Sequence, residues 1–246
     1  MVVSVGWFST LGVRIVYPAL LPQIAEAFAI NYATVGGLIG VLWVSYALFQ
    51  FPAGVLADVL GEQTVMLLSL STAFLAVMAI VLAPVFGLFV VATVFLGVGT
   101  GLYGTSRVTV LTDTYPDRET TAIGISQMSG NLGNVVLPVV AGLVSVAMGW
   151  RLGFATIIPL FVLTAVGIFV VIPKRTSPAS EVAVIGTAKT VATTFLTRRV
   201  VMATGVLLLI MFEYQSITGF LPTYLVEVKA LQQDTASLLY GLFFAS

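Results

Sequence analysis

The chain has 246 residues, 59% hydrophobic and only 8% charged, and its ten basic and ten acidic side chains cancel. A soluble domain is about half apolar and a quarter charged, so with a mean hydropathy of +1.11 this composition excludes a soluble globule and describes helices in lipid. The absence of cysteine and histidine excludes disulfides, thiolate or imidazole metal sites and Cys- or His-dependent catalysis, and the lack of net charge leaves nothing to recruit nucleic acid.

A bilayer core of about 30 Å asks for about 20 apolar residues in a helix. From the N-terminus, spans are expected at about 5–25, 35–57, 64–83, 86–112, 121–147, 152–173 and 199–225, with an eighth beginning near 233 and cut off at Ser246. The first does not read as a signal peptide, because no basic stretch precedes it, Arg14 interrupts it and no small-residue cleavage site follows. Short connections carry turn and helix-start chemistry at Ala33-Thr34, Asp58-x-x-Gly61 and Tyr115-Pro116-Asp117. The one long connection opens Lys174-Arg175-Thr176-Ser177-Pro178 and reads as a linker. Within it, 182–196 is read either as an amphipathic surface helix or as a plain loop.

The expected organisation is therefore a six-span half at 1–173, a linker at 174–198 and the start of a second half at 199–246. Lys174, Arg175, Lys189, Arg198 and Arg199 all fall at this linker, which places it in the cytoplasm by the positive-inside rule. Six spans precede it, so the N-terminus is expected there too, and Arg118 falls on the same side.

Three ionisable side chains interrupt the spans: Arg14 in the first, Arg107 in the fourth and Glu213 in the seventh. Each costs about 2.5–3.5 kcal/mol at a helix centre on insertion scales, so it must face a cavity or find a partner. Arg14 either binds a substrate or pairs with an acid, or else it makes a structural contact. Arg107, nearer a helix end, is within snorkelling reach of the interface. Two cavity arginines favour a carboxylate- or phosphate-bearing substrate, because a guanidinium pairs with either oxyanion bidentately. Glu213 is read as a proton carrier or as the static partner of one arginine. Gln127, Asn131 and Asn134 in span five, with Tyr214, Gln215 and Gln50, either line the same path or join helices by hydrogen bonds.

The two ends of the chain repeat one another. Span one closes on Leu21-Pro22 and span seven on Leu221-Pro222, with Arg14 and Glu213 at nearly the same depth before them. A unit of about 200 residues restarted after a linker implies a molecule of about 400 residues with twelve spans.

These features resemble the major facilitator superfamily, and local motifs agree over essentially the whole chain. Gly54-x-x-x-Asp58-x-x-Gly61 resembles the family's signature loop after span two. Thr112-Asp113-Thr114-Tyr115-Pro116-Asp117-Arg118 with Ala122-Ile123-Gly124 resembles its loop between spans four and five. Gly149-Trp150-Arg151-x-x-Phe154 resembles its entry to span six, and Pro138-x-x-Ala141-Gly142 part of a span-five motif linked with antiporters. Val59, Glu62 and Gln63 replace the basic residues of the signature loop, and Leu137 stands where the antiporter motif has glycine.

The resemblance implies an all-α integral membrane protein, with a six-helix N-terminal bundle, helix seven and a truncated helix eight. It implies a multi-pass protein of the cell membrane, not an enzyme, moving a small solute by rocking two halves about a central site. An organic anion is the expected cargo, with proton or sodium coupling, and a multidrug exporter or a non-transporting truncated paralogue is the alternative. The first helix of each three-helix repeat lines the family's cavity, which here selects the spans that carry Arg14, Arg107 and Glu213. The resemblance gives Gly54, Asp58, Gly61, Asp113 and Arg118 a gating role, Asp58 capping a neighbouring helix or serving as a turn residue. The expected partners are the small-molecule substrate, a coupling ion, the lipid bilayer and the remaining second half, with no cofactor and no metal.

Two further patterns are set aside. Gly99-x-Gly101-x-x-Gly104 matches a dinucleotide fingerprint, but no strand leads into it and no ribose-binding acid follows at the right spacing. Gly97, Gly101 and Gly104 instead share one helix face, which lets another helix approach. Lys174, Lys189 and Lys229 fall in loops, so a retinal Schiff base lacks its lysine, and there is no G-x-x-x-x-G-K-[ST] loop for ATP.

Overall fold

Asn31 sets the first corner of the bundle, because its Oδ1 accepts from the Thr34 backbone N–H at 2.9 Å and caps the second helix. The helix start thus lies two residues before the expected Ala33-Thr34. The computed structural model describes residues 1–174 and 198–244. Its helices are α1 (Val2–Phe28), α2 (Tyr32–Leu60), α3 (Glu62–Leu82), α4 (Phe86–Thr114), α5 (Glu119–Met148), α6 (Trp150–Ala155), α7 (Ile158–Val171), α8 (Arg198–Glu227) and α9 (Gln233–Phe243). There is no strand among the described residues, and seven stretches are long and apolar enough to cross a membrane. The expected linker residues 175–197, with both readings of 182–196, lie outside the described residues.

The sixth span is two pieces. Thr156 and Ile157 separate α6 from α7, and Pro159 in the first turn of α7 has no N–H to continue the ladder backwards. The corners before α3 and α6 are Gly61 at φ 82° and Gly149 at φ 87°, both in the left-handed region where a side chain is strained. Asp58 lies inside the last turn of α2 rather than after it.

The helices alternate in direction, so Met1, Leu60, Thr114 and Val171 share one end of the bundle while Asn31, Ala83 and Gly149 share the other. Helix α1 forms the axis. In its most apolar window 78% of residues are buried, against 28% for residues 32–50 and 12% for residues 204–227 of α8. Two features hold α1 in place. Its Tyr17 hydroxyl shares a hydrogen bond with Thr93 of α4 at 2.9 Å, inside an aromatic cluster of Tyr17, Phe89, Trp150 and Phe154. Against α5, a Cβ on Gly12 would stand 2.5 Å from the Gly133 carbonyl oxygen, so the two backbones nearly touch.

The glycines of α4 serve three neighbours rather than one. Cβ atoms on Gly97 and Gly101 would each stand 2.6 Å from a carbonyl oxygen of α2, Leu42 and Tyr46 respectively. Gly104 instead looks toward Trp7 on α1, and Gly99 is pressed against Ala73 of α3. This crowding fixes α2 against α4 and thereby sets the position of Tyr46.

Candidate functional site

Arg14 lies halfway along α1 and is 1% exposed. Its Nε donates to the Thr10 carbonyl oxygen one turn back, at 3.2 Å. Its guanidinium carbon sits 3.8 Å from the centre of the Tyr46 ring and 4.9 Å from that of Trp43. Tyr46 and Trp43 are three residues apart on α2, the spacing that puts two side chains on one helix face. These contacts hold the charge by dispersion and by the ring quadrupoles, and they leave Nη2 buried without a hydrogen-bond partner.

Arg107 on α4 is also buried, at 6% exposure. Its Nη1 donates to Ser126 Oγ of α5 at 3.0 Å, and its guanidinium carbon lies 4.2 Å from the centre of the Trp7 ring. Its Nε has no partner, and neither has Trp7 Nε1. Among the described residues no carboxylate pairs with either arginine. Two uncompensated guanidinium groups in an apolar interior are costly unless an anion meets them.

Glu213 does not join them. It is exposed on α8, the least covered span, and makes no ion pair with Arg14 or Arg107. Gln127 and Asn131 are exposed as well, their side chains bonded to each other along α5 at 3.3 Å. Asn134, one turn on, is partly buried with its Oδ1 unpartnered.

The signature-loop residues gather at the Met1 end. Asp58, Asp113 and Arg118 are exposed there, near the close of α2 and on either side of the α4–α5 corner. No bond joins Asp58 to Arg118 among the described residues. Gly54 has open space beside it, and Asp113 shares a small cavity of about 60 Å³ with Glu62 and Pro173. At the opposite end a cavity of about 420 Å³ opens between the α1–α2 corner and the α8–α9 corner, lined by Glu26, Tyr32, Glu227, Gln23 and Gln233. Here also Gly142 of the span-five motif meets Ser237 of α9. Arg151 of the span-six motif donates to the Ala83 carbonyl oxygen at 3.0 Å.

Tyr46, Trp43, Trp7 and Ser126 are not among the site residues expected from the sequence. The i, i+3 spacing of Trp43 and Tyr46 on one apolar span was the available signal for the first two. Nothing in the spacing marked Trp7 or Ser126 as partners of a residue on α4.

Seven apolar spans among the described residues, six of them packed about the buried axial helix that carries a cation, define an all-helical, multi-pass membrane protein. The chain matches the sequence profile of the Major Facilitator Superfamily over residues 2–246 and belongs to that family. It is 23% identical to the hexuronate transporter of Bacillus subtilis (strain 168) over 229 residues, which is 89% of this chain and 54% of that protein. It is 26% identical to the Major facilitator superfamily multidrug transporter mfsC of Aspergillus fumigatus over 133 residues, 53% of this chain and 26% of that protein. Its fold is similar to the crystal structure of a bacterial homolog of the human lysosomal transporter Spinster, in its inward-facing and occupied conformation. That match has a TM-score of 0.80 at 19% identity, covering 98% of this chain and 56% of the other. The chain thus spans about half the length of the first relatives it matches.

Proposed function

We propose that the protein is a secondary active transporter of a small organic anion, with Arg14 as the anchor of the cargo. The observation that carries this reading is the isolation of Arg14. Its charge is buried, two of its faces are taken by Thr10 and Tyr46, and one nitrogen awaits an acceptor. A carboxylate supplies that acceptor and the missing charge together. The similarity to a protein named as a hexuronate transporter supports the same chemistry.

In this reading the helices after α7 belong to a second half, completed by spans outside these 246 residues. The two halves rock to open Arg14 to each side in turn. The N-terminus and the basic linker face the cytoplasm of a cell whose plasma membrane holds the protein. Glu213, exposed on α8, faces that second half and carries a coupling proton. Gln127 and Asn131 line the path, and Gly54, Asp58, Gly61, Asp113 and Arg118 gate its Met1 end. A drug exporter is the second reading, supported by the similarity to mfsC.

The test is a thermal-shift titration of the purified protein with sodium D-glucuronate, malate and phosphate, alongside cationic apolar dyes. Stabilisation by an anion that Arg14→Ala abolishes supports the anion reading. Stabilisation by dyes alone, unchanged in Arg14→Ala, replaces it with the exporter.

A further inference from the structure

Arg151 stands apart from the two buried arginines. It is the second residue of the sixth span, just past the Gly149 corner, at the bundle end that Asn31, Ala83 and Gly149 share. Gly149 turns the chain there so that Trp150 enters the core while Arg151 stays exposed. Two contacts nevertheless hold the exposed guanidinium. Its Nη2 donates to the Ala83 carbonyl oxygen at the close of α3, at 3.0 Å. Its central carbon lies 4.4 Å from the centre of the Trp150 ring, and that ring is itself packed by Phe28, Phe89 and Phe154. The cation therefore rests on a rigid shelf and has given up much of its side-chain freedom before any ligand arrives.

The protein supplies only part of what this cation needs. Nε and Nη1 have no partner among the described residues, and no carboxylate there pairs with Arg151. The acids of this end stand at other corners: Glu26 and Glu227 line the cavity between the α1–α2 and α8–α9 corners, and Asp234 opens α9. Around Arg151 the surface is apolar instead. Leu82 and Val85 flank Ala83, Met148 and Leu152 flank Arg151, and all four are exposed.

Depth and chemistry select the partner. A guanidinium in the first turn of a span lies where hydrocarbon meets headgroups. Acyl chains cover the four apolar side chains, and the phosphate joined to those chains then lies at the level of the guanidinium. A stacked arginine is weakly hydrated and donates to phosphate oxygens from its free edge. With no acid beside Arg151, the ammonium of a zwitterionic headgroup would meet a second positive charge, so an anionic headgroup is favoured.

We propose that Arg151, seated between the Ala83 carbonyl and the Trp150 ring, binds the phosphodiester of one anionic phospholipid in the leaflet at the Asn31 end. The bound lipid ties the close of α3 to the start of the sixth span from outside the bundle. This site is independent of the cargo and of Arg14. Lys229, the other described cation of this end, supplies the contrast: it lies 5.8 Å from the Tyr224 ring, and no side-chain hydrogen bond among the described residues fixes it.

The experiment is native mass spectrometry of the delipidated protein in detergent, titrated with phosphatidylglycerol, with phosphatidylcholine and with inorganic phosphate. The wild type is expected to hold one phosphatidylglycerol at least about tenfold more tightly than phosphatidylcholine. Arg151→Gln lowers that affinity at least about tenfold, whereas Lys229→Gln changes it less than about twofold. Arg151→Lys keeps the charge, loses the planar fork and weakens the lipid about threefold; it carries the test if Arg151→Gln fails to fold.

Phosphatidylglycerol affinity that is the same in the wild type, Arg151→Gln and Arg151→Lys overturns the proposal. Equal losses in Arg151→Gln and Lys229→Gln would mean attraction to the charge of this end as a whole, which also overturns it. So does phosphatidylcholine bound as tightly as phosphatidylglycerol. Inorganic phosphate that binds through Arg151 and displaces the lipid at equal concentration would make this a site for a water-borne anion and removes the lipid.

Discussion

The guanidinium carbon of Arg14 lies over the ring of Tyr46, 3.8 Å from its centre, joining the axial helix α1 to α2. The contact couples the most buried charge of the bundle to a helix that is itself only partly covered. Tyr46→Phe keeps the π face and is expected to melt within a degree or two of wild type. Tyr46→Leu removes it and costs about 1–2 kcal/mol, lowering the melting temperature in detergent and the affinity for any anion held at Arg14. Equal melting of the two variants would show that the ring contributes packing alone.

Gly101 lets α4 approach the Tyr46 backbone, where a Cβ would stand 2.6 Å from the carbonyl oxygen. Gly101→Val is expected to destabilise by at least 1–3 kcal/mol, the usual cost of overpacking, and to disturb Arg14 through the displaced α2. Gly124→Ala, in a helix with open space at that position, is the matched control and should be neutral or stabilising by about 0.5 kcal/mol. Melting curves of the pair decide this.

Gln63 reaches from the first turn of α3 to two carbonyl oxygens at the end of α7, Phe169 at 3.1 Å and Ile172 at 2.6 Å. A helix leaves its last carbonyls unpaired, so this side chain closes α7. Gln63→Leu is expected to cost about 1–3 kcal/mol. It should also speed amide exchange in the last turn of α7 relative to the middle of α1, which exchange mass spectrometry measures.

Gly149 separates open space from backbone strain. A Cβ there meets nothing within 4 Å, yet φ is 87°. Gly149→Ala is therefore expected to lose about 1–2 kcal/mol by backbone conformation alone, seen as a lowered melting temperature. An unchanged melting curve would mean that the corner relaxes to another turn.

The spans were legible because hydropathy over about 20 residues responds to the bilayer whatever the neighbours do. Six of the seven expected stretches each lie on one helix to within a residue, the sixth is broken between α6 and α7, and α9 begins at Gln233, near the expected start. Ends were less legible. Asn31 caps α2 through a side-chain hydrogen bond that a window average passes over, and Asp58 joins α2 because Gly61, not the aspartate, ends it. The break at Thr156 needed the position of Pro159 in a helical turn.

Within the candidate site, charge in an apolar run marked Arg14 and Arg107 directly. Their surroundings were not legible, because Trp43, Tyr46, Trp7 and Ser126 approach them from other helices at long sequence separations. Glu213 illustrates the converse: its depth in the sequence was plain, but exposure depends on which helices pack against α8.

The burial of α1 bears on the order in which the protein is made. Helix α1 holds an arginine and two prolines and is less apolar than α3 or the sixth span, so alone in lipid it is less secure than either. The two rings that cover Arg14 arrive later, with α2, and the Gly133 surface against which Gly12 rests arrives only with α5. Helix α1 thus reaches its final surroundings only after later helices are made, and the growing chain depends on its translocation machinery until α5 exists.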